Sequence, residues 1–414
     1  MKQFLLFVLF YFLCNRLALA QIPTFADPPG PEHVLVVYNT RSDTSFQVMN
    51  YYKDARQIPN SNIVELSLPS DTIITYQGAP HSIKLDQQGE IIRDMNNKDT
   101  ITPTLHAWIY FNEKIAKKIA NHLTTTYING IPLKDIIRFI VLCKGVPFRI
   151  DARIEDADSR ETNVICANLL TRIGETMAND NALLDYYNQT VQIPNPYYQA
   201  DKNFLMEHNF LPNHYQTTVN INGQSRNISL SYLVTHLSAP RFSDVQGMID
   251  RSKNAIYTRN YKWFIDGDPT PCRGWSPVGS TASTLNILGI TNYFFDNTTQ
   301  NVFTSYPDSV MSYSSNGIWT SITDSCDNIP PFYGNYIQTL DFDYADGAFF
   351  SSIESHNGLS IGTYPVIRTR GQGLIADFTL KGGTVGVGQA FHSPYSHVIA
   401  NQDFIPRYAM GYTF

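Results

Sequence analysis

Val34-Leu35-Val36-Val37-Tyr38 is an unbroken apolar run that stops at Asn39, and Ser42-Asp43 follows at once with a stripe of Phe46, Met49, Tyr52 and Ala55 behind it. The run lacks the alternation of a half-wet strand, so it reads as a strand buried on both faces, the mark of a parallel sheet. Ser42 or Asp43 caps a helix that carries the stripe, and Ile58-Pro59 ends it. Working outward, residues 62–68 read as a second strand. Residues 112–123 read as a helix with Ile115, Ile119 and Leu123 on one face, and residues 136–143 as a third buried strand. This β-α-β-α-β order predicts an α/β fold: a mostly parallel, doubly wound sheet with right-handed crossovers.

Between residues 148 and 230 the alternation gives way to acidic and aromatic loop sequence, with a helix expected over 175–187 and a hairpin over 220–227 turning on Asn222-Gly223. It resumes with a strand at 231–237 and a helix opened by Ser243 with Gln246 three residues on, whose apolar face is Val245, Met248, Ile249 and Ile256. Further strands are expected at 261–266, 292–295, 309–313, 347–353 and 383–387. The segments 34–38, 137–142 and 347–353 are expected to share one sheet, with their carboxyl ends on one edge. The resulting division is a leader over 1–20, a first half of the α/β domain over 21–147, a loop-rich insertion over 148–230 and a second half over 231–414.

The chain has 414 residues, 43% of them hydrophobic and 16% charged, which suits a packed globular protein rather than a disordered one. Lys2, an eleven-residue apolar run from Phe4 to Cys14, and Ala18-Leu19-Ala20 make a secretory signal with cleavage expected after Ala20. That run is shorter than the ~20 residues of a membrane span, and no later stretch reaches that length. The mature protein is therefore expected to be secreted, with no membrane span. Without Lys2 and Arg16 the 30 basic residues fall to 28 against 36 acidic ones. That balance offers no basic surplus for nucleic acid.

Cys143, Cys166, Cys272 and Cys326 remain after cleavage, an even set in an oxidising setting. Cys272 and Cys326 lie in loop-type sequence and are the favoured disulfide, while Cys143 at a strand end reads as a buried thiol. Asn188, Asn227 and Asn297 head Asn-x-Ser/Thr sequons and are the expected glycosylation sites of a secreted chain.

Val36-Val37-Tyr38-Asn39 with Ser42, Ser45, Tyr52, Arg56 and Ile58-Pro59, then Phe139 through Pro147 ending in Lys144-Gly145-Val146-Pro147, together resemble an uncharacterised family of secreted, mostly bacterial proteins. Tyr232 through Pro240, Gly347-Ala348, Lys381-Gly382-Gly383-Thr384 and His392-Ser393-Pro394-Tyr395 extend the resemblance to the C-terminus. The family has no established activity, so the resemblance implies a fold and an export route. More remotely, the chain is similar to the gingipain-type cysteine peptidases, which implies a caspase-like fold. Those enzymes place a His-Gly and a Cys at two strand ends, because a thiolate nucleophile needs an adjacent imidazole. Here the corresponding strand ends read Ser314-Ser315-Asn316-Gly317 and Glu354-Ser355-His356-Asn357, so the peptidase pair is missing.

Open parallel sheets bind ligands beyond the carboxyl ends of their strands. That edge is expected to carry Asn39, Ser42, Lys144, Ser238 and Asn316 as binding groups and Ser315, Ser355 and His356 as candidate catalytic ones. His356 beside Glu354 suits a general base acting on a serine or a water. Lys144 reads as a buried lysine or an anion clamp at the sheet edge, although a lysine leaving its strand for solvent is the commoner case. His392 and His397 share no helical face, no CxxC occurs, and Asp341-x-Asp343-x-x-Asp346-Gly347 departs from the EF-hand order and reads as a solvated turn. Gly382-Gly383 with Gly386 and Gly388 forms no phosphate loop, so neither metal nor cofactor is expected. Two functions fit these residues: a degenerate peptidase-like scaffold that binds an extracellular protein or polymer, or a secreted hydrolase that uses His356 with a serine or an activated water.

Overall fold

A computed structural model describes residues 30–97, 103–151, 164–187, 215–221, 224–255, 261–266, 279–296, 305–315, 341–352, 358, 361–362 and 374–387. In chain order the first strands are β1 (Val34–Asn39), β2 (Ile63–Leu66), β3 (Asp71–Tyr76), β4 (Ala79–Leu85), β5 (Ile91–Asp94), β6 (Tyr127–Ile128), β7 (Ile131–Pro132), β8 (Phe139–Cys143), β9 (Arg149–Ile150) and β10 (Val164–Ile165). They are followed by β11 (Tyr215–Ile221), β12 (Gln224–Leu230), β13 (Leu233–Leu237), β14 (Lys262–Asp266), β15 (Tyr293–Asp296), β16 (Ser305–Ser315), β17 (Asp341–Ser352) and β18 (Val385–Val387).

Every residue of β1 is buried, as its uninterrupted apolar run requires. It forms the interior of an all-parallel sheet of order β13-β8-β1-β2. The helix Asp43–Arg56 crosses from β1 to β2, capped by Ser42, whose Oγ accepts from Ser45 N. Its buried face is Ser45, Val48 and Met49, whereas Phe46 is 50% exposed. A three-residue spacing drifts about 60° per step around a helix of 3.6 residues per turn, so Phe46 and Ala55 fall on opposite flanks rather than on one stripe. The helical segment expected over 112–123 begins earlier, at Leu105. It runs through Leu105–Phe111, a π-helical turn Asn112–Ala116 and Lys117–Thr125, and buries Ile115, Ile119 and Leu123. This helix covers one face of the sheet, and Asp43–Arg56 with Phe242–Asn254 covers the other.

The Phe242–Asn254 helix starts one residue before the expected opener, and Ser243 and Gln246 do not cap it. Asp244 does, its carboxylate accepting from Arg241 N at 2.9 Å. β11 and β12 pair antiparallel from Tyr215 opposite Leu230 to Ile221 opposite Gln224, as the expected hairpin requires, and residues 222–223, where its turn is expected, lie outside the described residues. Residues 164–187 pack into the first core through Cys166, Leu169, Leu170, Ile173, Leu183 and Tyr186.

The expectation of a single sheet is corrected. β17 belongs to a second all-parallel sheet, β15-β14-β16-β17-β18, covered on one face by the helix Leu374–Leu380 and on the other by Gly279–Ile287. An apolar run reports that both of its faces are covered but not which strand lies beside it, and the same pattern suits either sheet. Asp341 to Gly347 is also not a turn. It forms the front of β17, where the pairing with β16 shifts register twice and Gly347 takes φ +89. A third, mixed sheet, β10-β9-β5-β4-β3, takes three strands from residues 71–94, where the sequence shows no clean alternation, and two short ones from 149–150 and 164–165.

Candidate functional site

The chain leaves β1 toward β2 on one side and later returns to place β8 on the other, so the strand order reverses between β1 and β8. The crevice beyond the carboxyl ends of those two strands is where an open α/β sheet takes a ligand. Asn39 closes β1 there and is 3% exposed. Its Nδ2 donates to Gly145 O at 3.2 Å, and its Oδ1 accepts from Arg41 N at 3.0 Å and Leu68 N at 3.1 Å. Every polar atom of the side chain is thus spent on joining the ends of β1, β2 and β8. Asn39→Asp sets a carboxylate oxygen against the Gly145 carbonyl, and about 1–3 kcal/mol of stability should be lost. Chemical denaturation checks it, and a loss below 0.5 kcal/mol would refute this role.

Lys144, the first residue after β8, is 6% exposed and does not lead out to solvent. Its Nζ lies 3.6 Å from Glu90 Oε1 and donates to the carbonyl of Gly362. Glu90, 2% exposed, is the hub of the crevice: Oε1 also accepts from Ser238 Oγ at 2.6 Å and Gly145 N at 3.3 Å. Gly362 comes so close that a Cβ there would collide with the Glu90 carboxylate. Of the readings open to it, Lys144 is thus the buried lysine and not one that leaves its strand for solvent, and an internal carboxylate stands beside its charge. Sequence reasoning found Lys144 and Ser238 and missed Glu90, which stands just before β5, 54 residues from its partner, with no motif around it.

Beside this filled crevice lies an open cleft of about 530 Å³ whose lining includes Asn39, Arg41, Ser42, Ser70, Gln87 and Gln88. It mixes amide, hydroxyl and guanidinium groups at the start of the Asp43–Arg56 helix. Of the other expected site residues, Ser315 ends β16 opposite Ser352 of β17. Asn316, Ser355 and His356 lie outside the described residues, as do Asn188, Asn297, Cys272 and Cys326. Asn227 falls in β12, opposite Thr218.

Cys143 and Cys166 are free and fully buried, and burial pushes both thiols well up from their ordinary range. Only the thiolate reacts, so both should resist alkylation in the folded protein by several orders of magnitude and label only on unfolding. Mass spectrometry of iodoacetamide-treated native protein tests this, and rapid native labelling of either residue would refute it.

Among the described residues the one cluster with metal-ligand chemistry is His81, Asp94 and His106, on β4, β5 and the helix Leu105–Phe111. No local motif marks it, since its members are 13 and 12 residues apart and fit no short ligand spacing. Comparison with protein-family models, curated proteins and solved structures finds no match.

Proposed function

We propose that the protein is a secreted binding protein, a degenerate peptidase-like scaffold of caspase-like descent that holds an extracellular protein or polymer in the polar cleft at the carboxyl edge of its first parallel sheet. The observation that carries this reading is the filled crevice. The Glu90–Lys144 pair and the Gly362 backbone occupy the place where an α/β enzyme keeps its reacting groups. The cleft next to it combines the amides of Gln87 and Gln88 and the hydroxyls of Ser42 and Ser70 with the charged Arg41 and Asp86, donors and acceptors that suit the hydroxyls of a glycan or the backbone of an extended peptide. The test is binding of the secreted protein to immobilised glycans and extended peptides, with Gln87→Ala/Gln88→Ala as the cleft variant. The reading requires a ligand in one panel and at least a tenfold loss in the variant. Unchanged binding by the variant, or no ligand in either panel, would overturn it.

The second reading, a hydrolase, is favoured by one feature: β16 and β17 are adjacent and parallel, so Ser315 and Ser352 end at the same edge of the second sheet. His356 would then act as base on Ser315, Ser355 or a water, and His356→Ala should lower turnover of a peptide, ester or glycan substrate by about 100-fold or more. Export is tested by N-terminal sequencing of the secreted protein, which should begin at Gln21.

A further inference from the structure

His81, Asp94 and His106 are held by three different rigid elements of the mixed sheet and the helix packed on it. Asp94 is buried, with its carboxylate fixed from several sides: Oδ1 accepts from Asn96 N at 2.9 Å, and Oδ2 accepts from Thr104 Oγ1 at 2.5 Å. Oδ2 also stands 2.6 Å from His81 Nδ1. The rings of His81 and His106 are stacked, with centroids 3.5 Å apart and planes 9° from parallel. His106 Nε2 lies 3.0 Å from the Ala79 carbonyl, which only accepts, so Nε2 carries the hydrogen and Nδ1 is the atom left for a ligand. This is the way metal-bound histidines are oriented: the far ring nitrogen donates to a backbone carbonyl and fixes the tautomer.

We propose that this cluster is a divalent transition-metal site, with zinc as the best-fitting ion. His81 Nδ1, Asp94 Oδ2 and His106 Nδ1 are its protein ligands, and a fourth position remains open to water or to a ligand group. One donor atom from each of the three residues lies within 4.8 Å of the other two. Ligands about 2.0–2.2 Å from a tetrahedral ion stand about 3.4 Å apart, so the ion enters by replacing the proton between His81 and Asp94 and spreading that pair by less than 1 Å. The stacked rings must splay for both lone pairs to converge. His81, whose side chain is 25% exposed, has the room to turn. Two imidazoles and one carboxylate favour zinc and its neighbours over calcium or magnesium, which take oxygen ligands.

The experiment is a zinc titration of the metal-stripped, tag-free protein by calorimetry, followed by the absorption spectrum of the cobalt-substituted form. Expected are one ion per chain, a four-coordinate cobalt spectrum and a zinc-dependent rise in melting temperature. His106→Ala and Asp94→Asn should each weaken binding by about 100-fold or more. His122→Ala, whose ring lies against the Ser61 carbonyl instead, should change nothing. His81→Gln removes a partly exposed ligand and keeps the test decisive if the Asp94 variant does not fold. Absence of saturable binding, an octahedral oxygen-type cobalt spectrum, or unit stoichiometry that survives both histidine substitutions would overturn the site.

Discussion

Lys144→Met should lower the stability of the folded protein by about 3–5 kcal/mol, because it leaves the Glu90 carboxylate charged and buried beneath the Gly362 backbone. The two hydrogen bonds that Glu90 Oε1 keeps, from Ser238 Oγ and Gly145 N, stabilise the charge only in part. Glu90→Gln/Lys144→Met removes both charges together and is expected to recover much of that loss, since an ion pair deep in a protein often does little better than neutral groups of the same shape. The measurement is a double-mutant cycle by urea denaturation. A Lys144→Met loss below 1 kcal/mol, or strict additivity of the two substitutions, would show that the pair does not lock the crevice. The same cycle bears on function, because a lock that can be replaced by neutral groups without loss of ligand binding is a structural filling of the site rather than a participant in recognition.

Gly145→Val is expected to destabilise by about 2–5 kcal/mol, made up of the left-handed backbone cost for a residue with a Cβ and the overpacking that the new side chain brings. Gly145 has φ +87, and a Cβ there would stand 2.9 Å from Ser42 Oγ and 3.1 Å from Ser45 Cβ, against the first turn of the helix that flanks the cleft. The substitution would also disturb the Gly145 carbonyl that Asn39 holds and the amide that Glu90 accepts. Gly145→Ala should cost less than Gly145→Val, since it adds the strained backbone but fewer atoms. Thermal and chemical denaturation of the pair test the order. Equal losses would mean that backbone conformation alone sets the requirement for glycine, and no loss in either would remove the steric account of the Lys144-Gly145 turn.

How much of this was legible in the sequence depends on the range of each interaction. The parallel class came from β1 itself, because an apolar run without alternation has to be covered on both faces, and β1, β2 and β8 are parallel neighbours, as the alternation of strands and helices implies. The Ser42 cap and the antiparallel pairing of β11 with β12 were local matters and were read from neighbouring residues. The buried thiol of Cys143 followed from its place at the end of an apolar strand.

Contacts within a few residues and the periods 2 and 3.6 were enough to mark the stretches that must be covered by protein and the start of the Asp43–Arg56 helix, but not every turn, since Asp341 to Gly347 is strand. The tertiary structure alone decided that β17 joins a second sheet, that Lys144 turns inward to Glu90, and that His81, Asp94 and His106 meet. Each of these is a pairing between residues 12 to 54 positions apart in the chain, or between strands whose apolar pattern suits more than one neighbour. No local signal encodes such a partner. It is fixed only when the sheets, their crossovers and the packed helices bring the two ends together and solvent is expelled from between them.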